Sequence, residues 1–144
     1  MATKNTRQFT EQEHRLLAVW AADCAEHVLP YFEAIYPKDD RPRKAILAAR
    51  LWERGDLAML QARKAAFAAH AAARAATQPA ARAAARAAGH AAAAAHVAGH
   101  ARYAAAYAVK AAEINRFAGN AESDWQLQRL PESLRPALYP NSRD

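Results

Sequence analysis

The 144-residue sequence contains a single cysteine, Cys24, so it cannot form an internal disulfide. No apolar run approaches the ~20 residues that a membrane-spanning helix requires. The N-terminus is polar and no apolar segment follows it, so we predict no signal peptide and expect a cytoplasmic protein without a membrane partner. Zinc-finger spacing, a phosphate-binding loop and a nucleophile elbow are also missing, so motifs predict no reaction and no cofactor.

Carboxylates are missing from the middle of the chain, where none occurs between Asp56 and Glu113. This excludes a ferritin-type di-iron bundle, which takes a glutamate from each of its helices. His96 and His100 have the i, i+4 spacing of a zinc-binding pair, but such a site needs a third ligand and a carboxylate partner. We therefore predict no metal site and keep these two histidines only as its weakest candidates.

Alanine supplies about 30 per cent of the residues, whereas glycine occurs only four times. Alanine has the highest helix propensity because it loses no side-chain entropy, and its methyl group lets helices approach closely. The composition predicts an all-α protein, a single compact antiparallel bundle of five to seven helices. We place this bundle at residues 10–130, after a flexible N-terminal segment at 1–9 and before a proline-containing irregular tail at 131–144.

Local signals mark several helix ends. Thr10 and Glu13 have the spacing of a capping box, which predicts a helix start. Pro30 is expected to end this first helix or to begin the next. Residues 80–118 are helical in pattern almost without pause, and one helix of that length would measure about 60 Å. This is too long for the domain, so we expect a break near Val97–Gly99.

One face of the last long helix carries ionisable side chains. Residues spaced alternately by three and four lie on one side of a helix, and here they are His100, Tyr103, Tyr107, Lys110, Ile114 and Phe117. The ordinary interpretation is an amphipathic seam whose hydroxyl and ammonium groups reach solvent. The alternative is a polar cleft, to which the neighbouring segments would bring His70 and His90.

Basic side chains form a second pattern, because Arg82 and Arg86 lie one helical turn apart and follow Arg63 and Arg74. A solvated basic face explains this spacing. A face that reads DNA sequence would need aromatic or amide side chains among the arginines. Alanine stands there instead, so sequence-specific recognition is not predicted, while non-specific attraction to phosphates stays open.

Acidic and basic side chains alternate around Pro42, at Asp39, Asp40, Arg41 and Arg43. Helix capping and local ion pairs account for this pattern. The alternative is that Arg41 or Arg43 turns inward to meet Asp23 and locks the first two helices together.

Several segments resemble a known family. They are DCAEHVLP at residues 23–30, DDRPR at 39–43, ARLW ending at Trp52, and the glycine–histidine and histidine–valine pairs at 89–90 and 96–97, followed by His100. Over roughly Leu16 to Ala112 the chain resembles the bacterial immunity-protein family with the Imm-five-like domain of polymorphic toxin systems. The resemblance implies an all-helical cytoplasmic protein that neutralises a toxin, and it identifies neither the toxin nor the binding face.

Three functions stay open. The leading hypothesis is binding and neutralisation of a partner toxin with an acidic contact surface, and its candidate binding residues are Asp23, Asp40, Arg41, Arg43, Arg74 and Lys110. The second is a small helical enzyme or small-molecule binder, whose acid–base and hydroxyl groups would be His70, His90, His96, His100, Tyr103 and Tyr107. In that case Arg41, Arg43 or Lys110 would hold an anionic substrate. The third is non-specific nucleic-acid association through the basic helical face.

Overall fold

A computed structural model describes residues 8–114 and 119–140. Within these ranges the chain forms seven α-helices and one short 3₁₀ helix, and no strand. The helices are α1 Glu11–Glu33, α2 Arg41–Glu53, α3 Met59–Ala75, α4 Pro79–Ala93, α5 His100–Ile114, α6 Gly119–Arg129 and α7 Arg135–Leu138. The all-α prediction is therefore confirmed. Residues 1–7 of the expected flexible segment lie outside the described residues.

The first helix begins as predicted and ends later than predicted. Thr10 accepts a hydrogen bond from the backbone N–H of Glu13, whose carboxylate in turn accepts one from the backbone N–H of Thr10, so the capping box is present. The expectation that Pro30 ends the helix or begins the next is wrong, because α1 continues to Glu33. The added turn buries the Phe32 side chain in the core, and this burial offsets the hydrogen bond that proline cannot donate.

The central element of the bundle is α4, which packs against α1, α2, α3 and α5. All of its alanines except Ala93 are buried, and so is Gly89. Because these side chains extend no further than a methyl group, the neighbouring helices can surround α4 at close range. A helix that is apolar nearly all round is expected at such a central position.

The expected break in the long helical stretch is present. The fourth helix ends at Ala93 and the fifth begins at His100, which leaves a turn over residues 94–99. Within the turn, the backbone N–H of Val97 donates to the carbonyl of Ala93, and that of His100 donates to the carbonyl of Val97. The chain thereby reverses direction and lays α5 against α4. Phe117, assigned from its spacing to the same seam as His100, lies outside the described residues.

The C-terminal part of the chain packs onto the bundle. The segment after Pro131, expected to be irregular, contains the 3₁₀ helix Glu132–Leu134 and α7. Leu134 and Leu138 are buried in the core, and this apolar anchoring explains why short helical turns form there. Among the described helices, none combines the length and the apolar character of a membrane span.

Candidate functional site

Three histidines from three helices meet at one side of the bundle. His70 belongs to α3, His90 to α4 and His100 to α5. The ring centroids of His70 and His90 are 4.9 Å apart, and those of His90 and His100 are 5.2 Å apart. The Nδ1 atoms of His90 and His100 lie 3.0 Å apart, so one ring donates a hydrogen bond to the other. We call the histidine cluster the set His70, Arg86, His90, His100, Tyr103 and Tyr107.

The position and tautomer of His70 are fixed from two sides. Nη1 of Arg86 lies 2.8 Å from Nδ1 of His70. A guanidinium can only donate, so Nδ1 accepts and the proton of the neutral ring is on Nε2. On the other side the ring lies against Gly89, where an added Cβ would come within 2.9 Å of three ring atoms. A glycine at this position is therefore required for the ring to fit against α4.

Two tyrosines of α5 complete the cluster. The rings of His90 and Tyr107 are nearly parallel, at 9°, with centroids 5.4 Å apart. The Tyr103 ring centroid lies 5.4 Å from that of His90, and 56% of the Tyr103 side chain is exposed. The polar face of α5 thus lies beside the histidines and opens to solvent on one side. This is the convergence of distant segments that the small-molecule hypothesis requires.

Three further candidates lie around the cluster. His96 is exposed in the α4–α5 turn and contributes, after burial, to lowering the pKa of His100. The Nζ atom of Lys110 lies 6.0 Å from the centre of the Tyr107 ring. Arg74 is exposed on α3. The cluster is therefore rimmed by side chains that are cationic or can become cationic.

Burial keeps the histidines of the cluster neutral at physiological pH. Loss of hydration lowers the pKa of His70 from 6.5 to about 4, with the charge of Arg86 as the second cause. The pKa of His90 is also lowered to about 4. Burial is the main cause, and the charges of His70 and His100 are the next two. The pKa of His100 is also lowered, mainly by burial. Since the charged form is disfavoured, all three are neutral hydrogen-bonding groups at pH 7.

The surroundings of the cluster do not resemble a metal site. Within residues 8–114 and 119–140, no group of three histidine, cysteine, aspartate or glutamate side chains is arranged to hold a metal ion. His96 and His100, the two weak candidates for metal ligands, lie at the exposed turn and in the cluster respectively. The chemistry available is that of imidazole, phenol and guanidinium groups, which can donate hydrogen bonds and transfer protons.

The alternative in which Arg41 or Arg43 turns inward to meet Asp23 is wrong. Asp23 instead accepts a hydrogen bond of 3.0 Å from Arg50. The first two helices run antiparallel, so the end of α1 meets the start of α2. Asp23 lies three turns before the end of α1 and therefore faces the last turn of α2, which carries Arg50.

The charged side chains around Pro42 are satisfied locally. The pairs, with their N–O distances, are Arg41–Asp39 at 2.7 Å, Arg43–Glu33 at 2.7 Å and Lys44–Asp40 at 3.2 Å. Exposed pairs of this kind contribute at most about 1 kcal/mol each. Their charges are nevertheless neutralised within the chain, as the interpretation by local ion pairs predicts.

A second polar cluster, which joins α1 to α6, was not predicted. The buried carboxylate of Glu122 lies 2.9 Å from Nδ1 of His27. The His27 ring stacks on Trp125 with centroids 3.6 Å apart and an angle of 8°, and both rings line an open pocket of about 370 Å³. Nothing in the short, polar sequence of α6 indicates that Glu122 is buried. Only the contact with α1 reveals it.

Replacing Gly89 by alanine should destabilise the protein, although alanine favours helices by about 1 kcal/mol. The new methyl group would overlap the His70 ring, and overpacking of this kind costs about 1–3 kcal/mol. We expect a lower urea midpoint for Gly89→Ala. In a His70→Ala background the ring is gone, so adding Gly89→Ala should raise the unfolding free energy by about 1 kcal/mol. Stabilisation by Gly89→Ala alone would show that the ring does not lie there.

Lowering the pH should reduce the free energy of unfolding, because the histidines of the cluster take up protons when the chain unfolds. Because the folded pKa values of His70 and His90 are about 4 and the ordinary value is 6.5, the unfolded chain binds more protons between those limits. Their contribution to stability is complete above about pH 6.5 and is lost as the pH falls toward 4. Urea unfolding should show this slope in the wild type and in His96→Gln. The slope should shrink in His70→Gln/His90→Gln, and equal slopes in all three would refute the assignment.

The family model described as "Imm-5 like putative immunity protein" matches residues 7–133. Nothing significantly similar was found among curated proteins or solved structures. The matched range covers α1 to α6, including the histidine cluster and the α1–α2 ion pairs. The chain therefore belongs to the Imm-5-like immunity-protein family.

Proposed function

We propose that the protein binds a toxin with an acidic contact surface and neutralises it, and that the outward side of α3 is the binding face. This α3 face is defined by Leu60, Arg63, Lys64, Phe67 and Arg74. Family membership supports a protein partner. We choose this face because exposed apolar side chains and cations that form no salt bridge among the described residues lie together along one helix.

The spacing of these residues places them on one side of α3, since positions three, four and seven apart share a helical face. Leu60 is 60% exposed and Phe67 is 59% exposed. The guanidinium carbon of Arg63 lies 5.4 Å from the centre of the Phe67 ring. Exposed apolar anchors with arginine beside them are the composition of a protein interface rather than of an ordinary solvated surface.

Charge also favours this face. No carboxylate occurs between Asp56 and Glu113, so α3 and α4 and the first three turns of α5 carry only basic charges. Within the described part of the chain, none of Arg63, Lys64 and Arg74 forms a salt bridge, in contrast to the arginines near Pro42. Cations that form no salt bridge within the chain can steer and hold a negatively charged protein surface.

The test is protection against a toxin encoded by a neighbouring gene. Co-expression of the wild-type chain should restore growth, and Arg63→Glu/Lys64→Glu should not. Reversal of two interface charges should raise the Kd of the purified complex by at least about 100-fold. Lys38→Glu/Lys44→Glu makes the same change in net charge at two exposed positions outside the α3 face and should still protect. Acidic residues near the start of α3 suit its dipole, so the fold is expected to persist.

Non-specific nucleic-acid association would use the same cations and is distinguished by its salt dependence. Affinity for duplex DNA would fall steeply with salt and would not depend on the apolar side chains. Binding of the toxin should instead weaken in Phe67→Ser and persist at about 0.15 M salt. Failure of the wild type to protect, together with tight DNA binding at that salt, would contradict the proposal.

A further inference from the structure

The histidine cluster is rich in hydrogen-bond donors and poor in acceptors. Arg86 has five N–H donors and uses one of them on His70. The proton of His70 is on Nε2. In the bond between the Nδ1 atoms of His90 and His100, the accepting ring has its proton on Nε2 and is a further donor, while the donating ring leaves Nε2 as an acceptor. Among the described residues, neither the Tyr103 nor the Tyr107 hydroxyl has a protein hydrogen-bond partner.

Within the described residues, the helices that build the cluster also carry no negative charge before Glu113. The cluster is built from α3, α4 and α5, and no carboxylate occurs between Asp56 and Glu113. The charged side chains at its rim, Arg74 and Lys110, are cationic. Hydrogen-bond donors and cations from three helices therefore meet here with no anion beside them. In an ordinary ion-pair network, by contrast, the anions are supplied by the protein itself. Such a set of donors is suited to a ligand that brings several acceptor oxygens.

The rings are held in place before any ligand arrives. Gly89 leaves room for the His70 ring against α4, and Arg86 fixes its tautomer. His90 is held between His100 and the parallel ring of Tyr107. Since these side chains are partly immobilised already, ordering them on binding costs little further entropy.

We propose that the histidine cluster binds a small molecule through a phosphate-type oxyanion. Arg86 supplies the fixed positive charge. His70, the ring of the His90–His100 pair that is protonated on Nε2, and the tyrosine hydroxyls donate to the oxygens. Arg74 and Lys110 add long-range attraction. The exposed ring of Tyr103 provides an apolar surface for the remainder of the ligand. This site adjoins the toxin contact on the α3 face and shares Arg74 with it, but neither proposal requires the other.

The proposal is tested by NMR of the full-length chain, which follows the imidazole resonances during titration with sodium phosphate at pH 7. The resonances of His70, His90 and His100 should shift and saturate with phosphate. Sodium chloride at equal ionic strength should leave them in place. Shifts that are the same with chloride would indicate ionic strength alone and would overturn the proposal.

Variants localise the site. Arg86→Gln removes a charge-assisted hydrogen bond and should weaken phosphate binding by about tenfold or more. Lys44→Gln removes the same charge from the exposed surface of α2 and should bind as the wild type does. Unchanged affinity in a folded Arg86→Gln would overturn the proposal. If that variant unfolds, the double variant Tyr103→Phe/Tyr107→Phe takes its place, because it removes only two hydroxyls. It should weaken phosphate binding several-fold. Unchanged affinity would refute the role of these hydroxyls as donors and overturn the proposal.

A second probe distinguishes free phosphate from a phosphate ester. Phenyl phosphate carries the same oxygens and adds an aromatic ring. Tighter binding of phenyl phosphate, lost in Tyr103→Ala, would support an ester as the ligand, and equal affinity would support phosphate itself. If neither probe binds in the millimolar range, the proposal is overturned. Toxin protection by Arg86→Gln would show that toxin binding does not depend on the phosphate site.

Discussion

The close approach of helices to α4 is the constraint on which the rest of the structure depends. Its buried side chains end in methyl groups, and at Gly89 there is no side chain at all. Where α3 crosses this point, the His70 ring fills the space that a Cβ would take. A larger residue would hold α3 and α5 further away, and the imidazoles of three separate segments would not touch.

The same packing separates charges within the bundle. The α1–α2 pair carries both signs and neutralises them across an antiparallel interface, as the Asp23–Arg50 and Glu33–Arg43 contacts show. The helices α3 to α5 contribute alanine inside, and their charged side chains are all cationic as far as Glu113. The charges of the α1–α2 pair are thus paired within the molecule, whereas the cations of α3 to α5 are suited to anionic partners. Both proposals, for the α3 face and for the histidine cluster, follow from this asymmetry.

Local sequence signals predicted local structure well. Helical class, the capping box at Thr10 and the break before His100 depend on propensity and chain length, which the sequence contains directly. The helix end predicted at Pro30 was wrong because the burial of Phe32, a tertiary effect, outweighed the loss of one hydrogen bond. Burial of Glu122 could not be predicted, since it depends on where α6 meets α1.

The candidate site was predictable only in part. Spacing placed His100, Tyr103 and Tyr107 on one face, but contact with His90 depends on how α4 and α5 cross. The pairing of Asp23 with Arg50 was missed because it requires the register of two antiparallel helices. Once that register is known, the contact follows from the turns that separate each residue from the helix ends.

The most direct test of the account is a substitution on the α4 side that carries Gly89. Ala85 lies one turn before Gly89 on the same side and is fully buried. Ala85→Leu should lower the unfolding free energy by about 1–3 kcal/mol and raise the NMR-measured pKa of His70 toward that of a free imidazole. The exposed Ala106→Leu should change stability by less than about 0.5 kcal/mol and leave that pKa unchanged. Equal stability of the two variants, with the low His70 pKa intact, would contradict the claim that methyl spacing brings the histidines together.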